Sequence, residues 1–164
     1  MSNQFFQFKQ FTVHQEHVAM KVTTDACLFG AVVDTADAET ILDIGTGTGL
    51  LALMLAQRSQ ANIHAVEMAE AAFLKAKENI DNTGWRNRIT VHHADIRTFP
   101  ETGTLEKFDL IISNPPFFTN HLRSKNEKKN VARHTDMLSP EELLKVVLQL
   151  LNKQKGVFHL LLPP

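Results

Sequence analysis

From Thr40 to Leu55 the chain passes from an unbroken apolar run, through three glycines at alternate positions, into a second apolar stretch. Thr40-Ile41-Leu42-Asp43-Ile44 has the composition of a strand covered on both faces. Gly45, Gly47 and Gly49 permit a tight turn, and Leu50, Leu51, Leu53, Met54 and Leu55 continue as an apolar helix. A doubly buried strand that leads straight into a helix predicts an α/β fold, a parallel sheet with helices on both faces.

The remainder of the chain repeats this unit. Asn62–Glu67 is a second strand, after which Ala72, Phe73, Ala76 and Ile80 recur at helical spacing, with Lys75 and Lys77 turned to solvent. Ile89–His92 and Phe108–Ser113 are the third and fourth strands. Ser139, Pro140 and Glu142 form the start signal of a helix with a capping box. That helix places Leu143, Leu144, Val147, Leu148 and Leu151 on one side, and Val157–Leu162 is the fifth strand. Residues 1–39 do not fit the alternation and are expected to be a helical or irregular leader on a catalytic domain of residues 40–164. Because the chain stops at Pro163-Pro164, directly after a strand, C-terminal strands of the sheet are expected to be missing.

Several functions are excluded by bulk properties. At 164 residues, 43% hydrophobic and 21% charged, the chain suits one soluble domain, and no apolar stretch is long enough to cross a bilayer. The first residues lack the order of a secretory signal, and the single Cys27 cannot form an internal disulfide, which together suggest the cytoplasm. Cys27 stands in an apolar run and reads as core. The eight histidines form no metal-binding pattern; His92 and His93, adjacent on a strand, point to opposite faces. Trp85 reads as a cap over the second helix. The net charge of −1 hides an asymmetry, since Arg123, Lys125, Lys128, Lys129 and Arg133 are opposed within their segment only by Glu127. Such a run is either a solvated loop or a contact for a polyanion.

Three acids follow three consecutive strands. Asp43 lies two residues ahead of a G-x-G-x-G loop, a spacing that differs from the dinucleotide G-x-G-x-x-G. A carboxylate there repels a pyrophosphate and suits a ligand carrying ammonium and sulfonium charges. Glu67, about 20 residues further on, stands where doubly wound folds put an acid on ribose hydroxyls. Asp95 follows the third strand, and an acid there can accept from an adenine amino group. Each acid alone has a bland explanation as a surface or capping residue, but all three converge where open α/β sheets bind ligands.

The fourth strand runs into Ser113-Asn114-Pro115-Pro116-Phe117. A rigid turn accounts for the prolines but not for the residues around them. An amino group on a planar ring is a poor nucleophile, because its lone pair is delocalised. The Asn114 side-chain oxygen and the Pro115 carbonyl can hold its two hydrogens and turn the lone pair towards a methyl donor. Phe117 can stack on the base, a contact worth about 1–3 kcal/mol. Pro116 and Phe118 can complete the pocket wall, though Phe118 equally suits core packing.

The order acid, glycines, acid, acid resembles the class I S-adenosylmethionine-dependent methyltransferases, whose Rossmann-like fold the strand order fits. That resemblance implies S-adenosyl-L-methionine as cofactor, with Asp43, Gly45, Gly47 and Gly49 at its amino-acid portion, Glu67 at its ribose and Asp95 at its adenine. Asn-Pro-Pro-Phe after the fourth strand is similar to the motif of enzymes that methylate amino nitrogens. Phe6-Gln7-Phe8-Lys9-Gln10-Phe11, His14-Gln15 and Met20-Lys21-Val22-Thr23-Thr24-Asp25 resemble the bacterial valine-tRNA adenine-N6 methyltransferases. The resemblance covers essentially the whole chain. It implies an RNA partner, with tRNA foremost, catalytic roles for Asn114, Pro115 and Phe117, and a leader that brings Lys21, Thr23 and Asp25 to the cofactor. The basic run from Arg123 to Arg133 then holds phosphates around a splayed nucleotide. Left open are a glutamine methyltransferase acting on release factors, a ribosomal-RNA adenine enzyme and a non-catalytic binding relic. No metal, no membrane contact and no particular oligomeric state is implied.

Overall fold

The computed structural model describes residues 3–99, 107–115 and 138–162. Its elements are β1 (Phe5–Gln7), β2 (Thr12–His14), α1 (Thr24–Val32), β3 (Thr40–Ile44), α2 (Leu50–Ala56), β4 (Asn62–Glu67), α3 (Glu70–Asp81), β5 (Ile89–His93), β6 (Leu110–Ser113), α4 (Pro140–Leu150) and β7 (Val157–Leu160). Five of the strands form one sheet in the order β5-β4-β3-β6-β7, parallel throughout. The winding direction reverses between β3 and β6, and in open α/β sheets the crevice beyond the carboxyl ends of such a pair receives the ligand.

Side-chain alternation along the strands separates two cores. Ile41, Ile63, Ala65, Leu110 and Ile112 pack with α1, α2 and Ile80 on one face. Leu42, Ile44, Val66 and Ile111 meet Leu143, Val146, Val147 and Leu150 of α4 on the other. Leu42 and Ile111 are completely buried, each burial contributing about 1.5–3 kcal/mol. Adjacent His92 and His93 do point to opposite faces: His92 lies edge-on to Phe99 at 4.9 Å, while His93 stacks on Phe73 at 5.0 Å.

The start of α4 matches its sequence signal in full. The Ser139 side chain accepts from the Glu142 amide, and the Glu142 carboxylate accepts from the Ser139 amide. Its apolar face differs from the expected one. Leu143, Val146, Val147 and Leu150 are buried at i, i+3, i+4, i+7, whereas Leu144 is 49% exposed and Leu148 71%. The helical stripe is too narrow to take in those two leucines as well.

The leader is also more regular than expected. β1 and β2 pair as an antiparallel hairpin, with Phe5 opposite His14 and Gln7 opposite Thr12, and α1 follows. Phe11, Val13, Phe29 and Val33 enter the same core as Ile41. Lys75, expected in solvent, reaches back to this segment: its Nζ lies 3.2 Å from Glu16 and 2.7 Å from Glu78. Trp85 packs against that core and meets Phe11 edge-on at 5.8 Å. Among the described residues no helix is long and apolar enough to cross a membrane.

Candidate cofactor and substrate site

The loop between β3 and α2 takes its shape from backbone that only glycine adopts readily. Gly45, Gly47 and Gly49 have φ of +71°, +60° and +83°. Gly49 also sits against α3, where an added Cβ would lie 3.3 Å from Ile80 Cδ1 and 3.5 Å from Ala76 Cβ. A Cβ on Gly45 or Gly47 would meet nothing within 4 Å, so open space lies beside that part of the loop.

The loop amides are already engaged. Gly45 and Thr46 donate to the Val66 carbonyl at 2.9 and 3.1 Å, and Gly49 donates to Thr46. The Gly47 amide donates to Glu67 Oε2 at 2.9 Å. A phosphate cradle requires free amides; here the loop offers carboxylates and room instead. Glu67 Oε1 accepts in addition from the Ala69 amide. A carboxylate has about four acceptor sites, which leaves capacity for the two hydroxyls of a ribose.

Asp43 is fully buried at the end of β3, below the loop. Its Oδ2 accepts from the Thr46 hydroxyl at 2.6 Å, while its Oδ1 is buried without a hydrogen-bond partner. Burial pushes its pKa up to about 7, and the nearby Glu67 charge adds to the shift. The negative charge expected next to the loop is therefore shared with Glu67, because burial favours the protonated form of Asp43 until the pH passes about 7. A buried carboxylate oxygen left without a partner beneath the loop suits a donor such as an ammonium group.

Asp95 follows β5, and the Ala94 amide before it donates to the Glu67 carbonyl at 3.1 Å. Arg97, which had no place in the sequence reading, clamps this acid. Asp95 Oδ1 accepts from the Arg97 amide and Nε at 2.9 and 3.0 Å, and Oδ2 accepts from Nε at 2.8 Å. The Arg97 bond holds the Asp95 carboxyl below its ordinary pKa. Arg97 Nη1 also lies 3.8 Å from Glu142 in the first turn of α4, so the end of β5 is tied to the opposite half of the molecule.

β6 leaves the sheet beside β3, with Ser113 in register with Ile44. The buried Ser113 hydroxyl donates to the Ile44 carbonyl at 2.9 Å, and half-buried Asn114 and Pro115 follow. The chain therefore passes through Asn114 next to the strand end that starts the glycine loop. Pro116, Phe117, Phe118, Arg123, Lys125, Lys128, Lys129 and Arg133 lie outside the described residues.

In the leader, the Thr23 side chain caps α1 by accepting from the Ala26 amide at 3.2 Å. Asp25 occupies the first turn of that helix, a favourable place for an acid, and Lys21 is exposed. The residue that joins leader to loop is Asn79, also absent from the sequence reading. Its Oδ1 accepts from the His14 amide, and its Nδ2 donates to the His14 and Thr48 carbonyls, each at 2.9 Å. A signal for it existed, because Asn79 sits on the same helical stripe as Ala72, Ala76 and Ile80, where an unpartnered amide is costly. Among the described residues no group of three or more His, Cys, Asp or Glu is placed to hold a metal ion.

The sequence pattern of the methyltransferase small domain matches residues 18–161. A tRNA1(Val) (adenine(37)-N6)-methyltransferase of Cytophaga hutchinsonii is 51% identical over 163 residues, which span 99% of this chain and 68% of that protein. One of the same name from Bacteroides thetaiotaomicron is 50% identical, with 99% and 68% covered. The chain thus spans about two thirds of these relatives. Among solved structures, YjhP of E. coli superposes with a TM-score of 0.61 at 16% identity, covering 88% of this chain and 51% of that one. The glycopeptide N-methyltransferase MtfA in complex with S-adenosyl-L-homocysteine gives 0.58 at 15%, covering 87% and 53%. Likeness at such low identity establishes the fold, and the sequence relatives establish the kinship: the chain belongs to the methyltransferase small domain family, among the S-adenosylmethionine-dependent tRNA1(Val) (adenine(37)-N6)-methyltransferases.

Proposed function

We propose that this chain transfers a methyl group to the N6 amino group of an adenosine in RNA, the adenosine at position 37 of tRNA1(Val), in the cytoplasm. The observation that carries the reading is the Ser113–Ile44 pairing, which sets Asn114-Pro115 beside the glycine loop. S-adenosylmethionine, when bound, supplies a methyl group made electrophilic by its sulfonium. The Asp43 carboxylate and the Gly45–Gly49 loop face its amino-acid portion, Glu67 takes the ribose hydroxyls, and Asp95, steadied by Arg97, takes the adenine amino group. Lys21, Thr23 and Asp25 border this pocket from the leader, residues 1–39, which packs on a catalytic domain of residues 40–164.

At the acceptor side, the Asn114 side-chain oxygen and the Pro115 carbonyl accept the two hydrogens of the target amino group. This draws the lone pair out of conjugation with the ring and aims it at the methyl carbon. Phe117, backed by Pro116 and Phe118, stacks on the base. With the methyl group supplied by the bound cofactor, Asn114 and Pro115 would supply orientation and electrostatics in place of a strong base, and the surplus proton on the nitrogen would leave to solvent. Arg123, Lys125, Lys128, Lys129 and Arg133 hold the flanking phosphates.

Incubation with methyl-labelled cofactor and separate pools of tRNA, ribosomal RNA and release factors tests this reading. Label is expected in tRNA, as N6-methyladenosine. Label in protein would replace it with a glutamine methyltransferase, label in ribosomal RNA would move the substrate, and label nowhere would reduce the chain to a binding protein.

A further inference from the structure

The outer strand of the leader hairpin has no part in the site described above. Every residue of β1 is exposed, with Phe5 at 46% and Phe6 at 40% of their full accessibility. Phe5 lies 6.2 Å from the His14 ring and Phe6 4.9 Å from the Phe8 ring, and each keeps much of its surface in water. Phe8 stacks on Phe11 at 4.5 Å with 14° between planes, Phe11 is buried against Trp85, and the Gln15 amide donates to the Gln4 carbonyl at 2.8 Å. The hairpin therefore presents one partly exposed phenyl ring on each of its faces.

The hairpin around the rings is polar or basic up to Glu16, whose carboxylate is matched by His14 at 3.5 Å and Lys75 at 3.2 Å. From Asn3 to Gln15 there is no carboxylate, and the polar residues include Gln4, Gln7, Lys9, Gln10 and His14. Arg86, next to Trp85, is also exposed. The rings lie at the end of the hairpin nearest the cofactor loop: Phe5 pairs with His14, His14 is gripped by Asn79, and Asn79 holds the Thr48 carbonyl. Exposed aromatic faces beside amides and cations suit unpaired bases and their phosphates. Self-association is less well served, since a strand of three residues offers a small fraction of the roughly 1,000 Å² that a stable interface buries.

We infer that Phe5 and Phe6, one on each face of β1, form with Lys9 a two-sided stacking platform for unpaired nucleotides flanking the modified base of the RNA substrate. The inference rests on the RNA reading above. Base stacking keeps its strength as salt rises, whereas a lysine–phosphate contact weakens, so the two contributions separate experimentally.

The test is binding of an anticodon stem-loop RNA to the protein at low and moderate salt, with cofactor affinity and circular dichroism as controls. Phe5→Ala/Phe6→Ala is expected to weaken RNA binding between about fivefold and a hundredfold at both salt concentrations. Phe5→Trp/Phe6→Trp is expected to retain it, and Lys9→Ala to lose affinity mainly at low salt. Unchanged RNA affinity in the double alanine variant, with the unmodified protein binding and methylating the RNA, would overturn the platform and leave the RNA reading standing. A dimer of the unmodified protein that the alanine variant breaks would assign the rings to self-association instead. If the unmodified protein neither binds nor methylates RNA, both readings fall together.

Discussion

The Ser113 hydroxyl reaches the Ile44 carbonyl across the β3–β6 junction at 2.9 Å. This bond joins the strand end that opens into the glycine loop to the one that opens into Asn114. Ser113→Ala leaves the Ile44 carbonyl without its partner in a buried place, at a cost of about 1–3 kcal/mol. Chemical denaturation is expected to show that loss. On the proposed mechanism, single-turnover methylation is expected to slow more than cofactor affinity falls, because the change loosens the junction between the glycine loop and Asn114 while leaving the loop intact.

Asn114→Ala removes one of the two acceptors proposed for the target amino group. Cofactor binding is expected to stay within about twofold while methyl transfer falls about a hundredfold or more. Calorimetry and a labelled-methyl assay on the same preparation separate the two quantities. Near-normal turnover would remove Asn114 from the mechanism.

Asp43 supplies a pH dependence. Its pKa is pushed up to about 7 in the folded protein, against about 3.9 in an unfolded chain. Between those values the folded state binds more protons than the unfolded one, so the Asp43 contribution to stability falls as pH rises from about 4 to about 7 and is flat above. Asp43→Asn removes this dependence. The stability of Asp43→Asn relative to the unmodified protein is therefore expected to increase between pH 5 and pH 8, on the order of a few kcal/mol, in paired thermal melts. A constant difference would show that Asp43 titrates normally.

Asn79, itself buried, makes three hydrogen bonds to segments 65 and 31 residues away. Asn79→Ala strands the His14 amide, the His14 carbonyl and the Thr48 carbonyl together. A loss of about 2–4 kcal/mol is expected, with faster amide exchange concentrated in β2 and the glycine loop. Exchange that rises uniformly would mean that Asn79 supports the fold at large, not the leader–loop junction.

Arg97→Ala frees the Asp95 carboxylate from its clamp. Since the Arg97 bond is the main cause of the lowered pKa, carboxyl-detected magnetic resonance is expected to show the Asp95 titration moving up to the ordinary range. Cofactor affinity is expected to fall severalfold, and to fall further at pH 4 than at pH 8, as the released acid takes up protons around the ordinary aspartate pKa of about 3.9.

Much of this molecule was legible in the chain because the relevant signals are local. Three alternate glycines announced a turn with positive φ, and Ser139 with Glu142 announced a helix start. Both depend on residues no more than four apart. That Asp43, Glu67 and Asp95 stand at the carboxyl ends of three neighbouring strands was legible too, since parallel strands bring those ends to one side of the sheet. The hairpin in the leader was missed because three-residue strands carry too little alternation to register. Leu144 and Leu148 were misplaced because side-chain type alone does not say which hundred degrees of a helix meet the sheet.

By itself, then, the sequence determined the α/β alternation, the glycine turn, the acids at the strand ends and the Asn-Pro-Pro-Phe segment after the fourth strand, all of which follow from local conformational preference and chemical type. The tertiary structure alone decided which of those groups are partnered. It buried Asp43 with one oxygen free, set Arg97 on Asp95, gave Asn79 the task of joining leader to loop and laid Ser113 against Ile44. The physical reason is that desolvation and hydrogen-bond pairing depend on distance in space, and three of the contacts named here, those of Asn79 with His14 and Thr48 and of Ser113 with Ile44, link residues between 31 and 69 positions apart.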